Sequence, residues 1–279
     1  MQLLVSVRSA VEVGPALSGG ADIIDAKEPS HGSLGSVSPA TLAEILTVLP
    51  SECPLSVALE DLASPQEVMS AIATLELPVR PGPTYLKIGF AGVRSPEVVA
   101  TILATAVAAV GDKGSPALVV AVAYADAARA GTLAPDVIPG CAHAAGAGGV
   151  LIDTYIKDGV GLLGWLTPQA LTDWVAAARC EGLVTALAGS LTLEDVDTVC
   201  AAGADVLGVR GAACEGGRQG CVSAARVGAL RQRLDGYGFY STRVFPKRRL
   251  SDGETRDGAA KPALDNELSH VKPMLRGAS

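Results

Sequence analysis

Eight short apolar runs alternate with helical segments over the first 235 residues, and this rhythm restricts the fold more than any other feature of the chain. Residues 3–7, 23–27, 55–59, 85–89, 117–123, 149–153, 183–187 and 206–209 read as strands. They are apolar nearly throughout, as strands buried on both faces are. Residues 10–18, 39–49, 65–75, 96–110, 135–145, 168–180, 193–201 and 223–234 read as helices, with Gly14-Pro15 and Pro139 as blemishes. Parallel strands need a crossover, commonly a helix. Eight such units predict an α/β protein closed into a (β/α)8 TIM barrel. Three helix-to-strand joints repeat a pattern: Gly20-Ala21-Asp22-Ile23, Gly146-Ala147-Gly148-Gly149 and Gly203-Ala204-Asp205-Val206. In each, glycine supplies a left-handed cap before an apolar run. The competing fold, an open doubly wound sheet, lacks a GxGxxG after the first strand.

After residue 235 the composition shifts. Residues 236–279 hold eight Lys/Arg and five Asp/Glu, a net of +3, which leaves −10 on the barrel portion of a chain whose total is −7. Residues 236–279 therefore read as a polar, flexible C-terminal tail, either without a role or able to dock on the acidic body of its own or a neighbouring subunit. The acidic barrel argues against a nucleic-acid partner. No apolar stretch reaches membrane-spanning length uninterrupted, so no membrane partner is expected. The start of the chain lacks a charged region and is too short for a signal peptide, which points to the cytoplasm. Six cysteines without a CxxC read as reduced apolar residues, and three scattered histidines make no metal site. No metal and no cofactor are expected. The Ala- and Val-rich helices suit a homo-oligomer.

Lysine is rationed in the barrel portion: Lys27, Lys87, Lys113 and Lys157 are the four. Lys113 falls in a polar loop and reads as solvated. The other three fall at or just after the C-terminal ends of strands two, four and six, on the face where barrels keep their active sites. Asp25 shares a strand face with Lys27, because side chains alternate along a strand. Inward residues of alternate strands share a layer, so Lys27, Lys87 and Asp153 should meet, with Lys157 close by. Clustered lysines in a partly dry site lose protons readily and can form a Schiff base with an aldehyde or ketone. A neighbouring lysine or aspartate can then move the α-proton. The residues alone do not rank Lys27 above Lys87 as the nucleophile.

The turns after strands seven and eight point to a phosphate handle. Gly189 and Ser190 follow the one, and Arg210, Gly211 and Ala212 follow the other. Gly32-Ser33-Leu34-Gly35 offers a weaker second cradle, with His31 nearby. Asp126, Glu60 or Asp61 could complete the site.

These motifs resemble those of the (5-formylfuran-3-yl)methyl phosphate synthases, also called 4-(hydroxymethyl)-2-furancarboxaldehyde-phosphate synthases. The resemblance covers about residues 1–235. It rests on Gly19-Gly20-Ala21-Asp22-Ile23-Ile24-Asp25-Ala26-Lys27 with the following Gly32-Ser33-Leu34-Gly35, Lys87-Ile88-Gly89, Tyr124-Ala125-Asp126-Ala127, Asp153-Thr154-Tyr155-Ile156-Lys157-Asp158-Gly159, Ala186-Leu187-Ala188-Gly189-Ser190 and Gly208-Val209-Arg210-Gly211-Ala212-Ala213-Cys214. It implies a barrel lyase that joins two glyceraldehyde 3-phosphate molecules into a phosphorylated furan aldehyde, an early precursor of the one-carbon carrier methanofuran. By the resemblance, Lys27 is the Schiff-base lysine and Lys87 the proton acceptor, with Asp25, Asp153 and Lys157 in support. The chain departs from the family pattern in its tail and at Tyr155. Two other readings of the same residues are a different Schiff-base aldolase for a sugar phosphate and a non-catalytic phosphosugar-binding barrel.

Overall fold

The computed structural model describes residues 1–76 and 78–237. The tail assigned to residues 236–279 lies, beyond Tyr237, outside the described residues. The strands are β1 (Gln2–Val7), β2 (Ile23–Ala26), β3 (Leu55–Asp61), β4 (Thr84–Gly89), β5 (Leu118–Tyr124), β6 (Gly149–Asp153), β7 (Val184–Leu187) and β8 (Val206–Val209). Each pairs in parallel with the next, and β8 returns to β1 through Gln2↔Val206 to Val5↔Val209, so the sheet closes into a barrel. The expected (β/α)8 architecture is present.

The helices are α1 (Val13–Ser18), α2 (Pro39–Val48), α3 (Pro65–Ala73), α4 (Pro96–Asp112), α5 (Ala127–Ala130), α6 (Ile138–Ala144), α7 (Pro168–Cys180), α8 (Val196–Ala202) and α9 (Ala224–Gly236). Four of them open on the same dipeptide chemistry. Ser38, Ser64, Ser95 and Thr167 each accept an amide hydrogen bond at the N-cap, and proline follows where no N–H is needed. Leu3, Val5 and Val7 point outward under these helices into the main core, while Leu4 and Ser6 point into the barrel. Each fully buried Leu, Ile or Val contributes about 1.5–3 kcal/mol.

Three local readings change. The first helix splits into a 3-10 turn, Ala10–Glu12, and α1, as Gly14-Pro15 disfavours a continuous helix. Residues 135–145 become helical only from Ile138, with Pro139 in the first turn, where it is tolerated. Lys113 is not simply solvated: its Nζ donates to the carbonyls of Ile72 (2.5 Å), Ala73 (3.2 Å) and Leu75 (3.0 Å), closing the C-terminus of α3. Between β8 and α9 the chain also makes an antiparallel ribbon, β9 (Cys214–Glu215) with β10 (Cys221–Val222). Its short strands carry no periodic signal. Among the described residues, no helix is long and apolar enough to cross a membrane.

Candidate active site

At the C-terminal ends of the strands lies a cavity of about 670 Å³. Asp25, Lys27, Lys87, Asp153 and Lys157 all line it, from β2, β4, β6 and the loop after β6. Asp25 is fully buried at the end of β2, and Lys27 follows, its amide continuing the sheet to the Val7 carbonyl (3.0 Å). From the neighbouring strand, Ser6 donates its hydroxyl to Asp25 Oδ2 at 2.7 Å. From two strands away, Lys87 Nζ lies 2.6 Å from Asp25 Oδ1. Burial would raise the Asp25 carboxyl, but the charges of Lys87 and Lys27 and the Ser6 hydroxyl outweigh it and hold the group below its usual range.

A second pair stands across the mouth. Lys157 Nζ is 2.6 Å from Asp153 Oδ1 and 3.0 Å from Thr154 Oγ1. The Thr154 amide donates to Asp153 Oδ1 (2.7 Å), and the Ser33 hydroxyl lies 3.1 Å from Oδ2. Burial pushes Asp153 up, yet Lys157 and Lys27 dominate and hold it at about 2. Burial pulls Lys157 down, with Asp153 opposing.

Lys27 differs from both neighbours. It is 6% exposed, and among the described residues no carboxylate lies within 4.0 Å of its ammonium and no acceptor is hydrogen-bonded to it. Burial is the largest influence and lowers its pKa. Asp153 and Asp25 act against it, Lys87 and Lys157 with it, and the amine falls to about 7. The site thus holds two ion-paired lysines and one unpaired amine that is substantially neutral at physiological pH.

The glycine turns after β7 and β8 face the same cavity. Gly189 sits at φ +115°, and a Cβ there would meet Thr154 and Leu162 at 3.2 Å, so the turn requires glycine. Among the described residues, the amides of Ser190, Gly211 and Ala212 have no protein acceptor. They are available to an anion.

Arg210 does not join them. Its side chain is almost wholly buried and every donor is taken: Nη1 and Nη2 grip Glu12 (2.5 and 3.0 Å), Nη1 also reaches the Ser6 carbonyl (3.0 Å), Nη2 the Gly220 carbonyl (2.7 Å) and Nε the Arg218 carbonyl (3.1 Å). Its charge is spent on Glu12, so its side chain has no donor left for a phosphate. Asp126, Glu60, Asp61 and His31 also lie off the cavity lining. Asp126 accepts from the Tyr155 (2.5 Å) and Ile156 (3.0 Å) amides, Asp61 from the Tyr124 hydroxyl (2.8 Å) and Ala91 amide (2.9 Å), and Glu60 from Ser36 (2.6 Å). In the Gly32–Gly35 loop, Ser33 steadies Asp153 instead of cradling an anion. Tyr155 packs edge-on against Tyr124, with ring centroids 5.2 Å apart.

Sequence reasoning passed over Ser6, Glu12 and Arg218. Ser6 carried a usable signal, a polar residue between the core residues Val5 and Val7, and Glu12 a weaker one, between the exposed Val11 and the buried Val13.

Solved structures share the barrel. A 3-hexulose-6-phosphate synthase from Salmonella typhimurium aligns with a TM-score of 0.56 at 14% identity, over 85% of this chain and 100% of its own. A phosphoribosyl anthranilate isomerase from Thermus thermophilus aligns with 0.55 at 18%, over 85% and 99%. Sequence relatives are nearer. The chain is 37% identical over 239 residues to the (5-formylfuran-3-yl)methyl phosphate synthase of Methanothermobacter thermautotrophicus, covering 85% of this chain and 100% of that one. It is 37% identical over 217 residues to the enzyme of the same name from Methanocaldococcus jannaschii, covering 78% and 92%. The family model described as 4-HFC-P synthase matches residues 3–231, nearly the whole barrel with the three lysines of its mouth, and the chain belongs to that family.

Proposed function

We propose that this protein joins two molecules of glyceraldehyde 3-phosphate through a Schiff base on Lys27. The products are (5-formylfuran-3-yl)methyl phosphate, one inorganic phosphate and two waters, at an early step of methanofuran biosynthesis. Expulsion of phosphate and water across carbon–oxygen bonds makes the reaction a lyase. The observation that carries this reading is the unpaired, buried amine of Lys27 between two ion-paired lysines. The names of the curated relatives support the product.

The Lys27 amine adds to the aldehyde carbon of the first triose phosphate. The Lys87 ammonium gives its proton to the carbinolamine hydroxyl, which leaves as water, and an iminium forms. Asp25 steadies that ammonium beforehand. Lys87, now neutral, takes the proton from the carbon next to the iminium, and the electron pair moves to give an enamine. The enamine carbon attacks the aldehyde of the second triose phosphate, whose oxygen receives the proton back from Lys87. Ring closure brings a hydroxyl onto the iminium carbon and expels the Lys27 amine, and loss of phosphate and dehydration complete an aromatic furan. Aromaticity favours these late steps, so the enzyme's task is the first carbon–carbon bond.

The test is a borohydride trap. The protein is incubated with glyceraldehyde 3-phosphate, reduced, and mapped by peptide mass spectrometry, while an unreduced sample is followed for furan absorbance. An adduct on Lys27 with furan formation is expected. An adduct on Lys87 or Lys157 alone, or near-normal turnover by Lys27→Ala, would overturn the assignment.

A further inference from the structure

We infer that Arg218, in the turn of the β9–β10 ribbon, receives the phosphate of one of the two triose phosphates on the β2 side of the mouth, apart from the turns after β7 and β8. This rests on the reading of a phosphorylated aldehyde as substrate.

The ribbon leaves the end of β8 and reaches the loop after β2. There Arg218 Nη2 donates to the Gly32 carbonyl (2.5 Å) and approaches that of Pro29 (3.4 Å). Backbone carbonyls fix the guanidinium without neutralising it. Among the described residues, no carboxylate lies within 4.0 Å of it, and its Nε and Nη1 donors have no acceptor. The contrast with the other arginines on the cavity is sharp: Arg210 is paired with Glu12, and Arg226 with Glu215 at 3.1 Å. Arg218 is half-buried, and the loss of water around it pulls its pKa down, with the charge of Asp153 opposing. Lys157 in turn feels the positive charge of Arg218, and both side chains line the cavity with Asp153.

Charge bookkeeping then leaves a gap that an anion fills. Asp25 is matched by Lys87 and Asp153 by Lys157, while Glu28 acts on the guanidinium only from beyond 4.0 Å with its Oε1 taken by Ser30, so among the described residues no carboxylate pairs with Arg218. A partly dehydrated, uncompensated guanidinium is costly, and phosphate is its natural partner. Two triose phosphates bring two phosphates. The open amides of Ser190, Gly211 and Ala212 serve one, and Arg218 serves the other.

The test compares the full-length protein with Arg218→Gln and Arg218→Lys. Inorganic phosphate is expected to raise the melting temperature of the wild type and to do so much less for Arg218→Gln. The KM for glyceraldehyde 3-phosphate is expected to rise roughly ten- to hundred-fold in Arg218→Gln, with less loss in Arg218→Lys and a nearly unchanged kcat. With phosphate-free glyceraldehyde, wild type and Arg218→Gln should form the borohydride-trapped adduct equally well. A variant with wild-type KM and wild-type phosphate stabilisation overturns the proposal, as does a fall in kcat alone, which would mark Arg218 as a loop brace. If the wild type makes no furan, the substrate reading fails. The phosphate melting shift then still decides on Arg218, since equal or absent stabilisation of both proteins counts against it.

Discussion

Lys87 Nζ and Asp25 Oδ1 are 2.6 Å apart in a site where the aspartate is fully buried. Lys27, two residues along the same face, has no such partner among the described residues. The ends of β2 and β4 therefore place an unpaired amine beside an ion-paired one. The difference between them comes from pairing, since all three lysines share the same intrinsic chemistry.

The rate of Schiff-base formation should depend on the Lys27 proton. Below its pKa of about 7 the amine is protonated and cannot attack. The borohydride-trapping rate should rise about tenfold per pH unit up to 7 and level off above it. Asp153→Asn removes a charge that holds the Lys27 proton on, so the rise should move to lower pH. A rate that is flat from about pH 5.5 to 8 would count against the assignment.

Lys87→Met should separate the two chemical stages. Without Lys87 the carbinolamine must draw its proton from water, so Lys27 should condense more slowly, and mass spectrometry of the reduced protein should still show the adduct while furan absorbance disappears. The change also leaves Asp25 as a buried, uncompensated carboxylate, at a cost of about 3–5 kcal/mol in stability, measurable by urea unfolding.

The Glu12–Arg210 pair should behave as structure. Both side chains are buried, and Glu12 also accepts the amides of Arg8 (2.9 Å) and Val222 (3.4 Å). Glu12→Ala or Arg210→Ala each strands a charge and should cost about 3–5 kcal/mol, while Glu12→Leu with Arg210→Met together should cost clearly less than the two single changes summed. Urea unfolding of the three variants checks this. An Arg210 variant of normal stability with a raised KM would restore the phosphate role.

Acid should find Asp153 late. Its folded pKa of about 2 lies below the ordinary 3.8, so it contributes stability above 3.8 that is lost as pH falls through 2. The contribution is about 2 kcal/mol. Unfolding free energy measured from about pH 5 down to 2 should fall less steeply in Asp153→Asn than in the wild type.

The barrel was legible because its signal is redundant: eight apolar runs and a recurrent Ser/Thr-Pro start on four helices all point to one topology. The placement of Lys27, Lys87, Asp25 and Asp153 at the mouth was legible too, since strand alternation and strand parity decide which side chains converge. Arg210 was misread for a physical reason. Its position at the end of β8 suits a phosphate ligand, but its partner Glu12 lies near the other end of the barrel sequence, and only closure brings the two together. Arg218 escaped notice because its location depends on a ribbon of two-residue strands and on Gly216 and Gly217 at φ 79° and 73°. Such a turn is set by tertiary docking on the Pro29–Gly32 carbonyls.

The Glu12–Arg210 pair spans 198 positions of the chain. During synthesis, the segment that bears Lys27 emerges early, while the cation that neutralises Glu12 emerges near the end of the barrel. Until then, Glu12 cannot be buried cheaply and β1 has no β8 to close against. Vectorial folding of this enzyme is thus held open by its own electrostatics, and a ribosome-bound chain truncated before Arg210 should stay protease-sensitive where one extended past α9 does not.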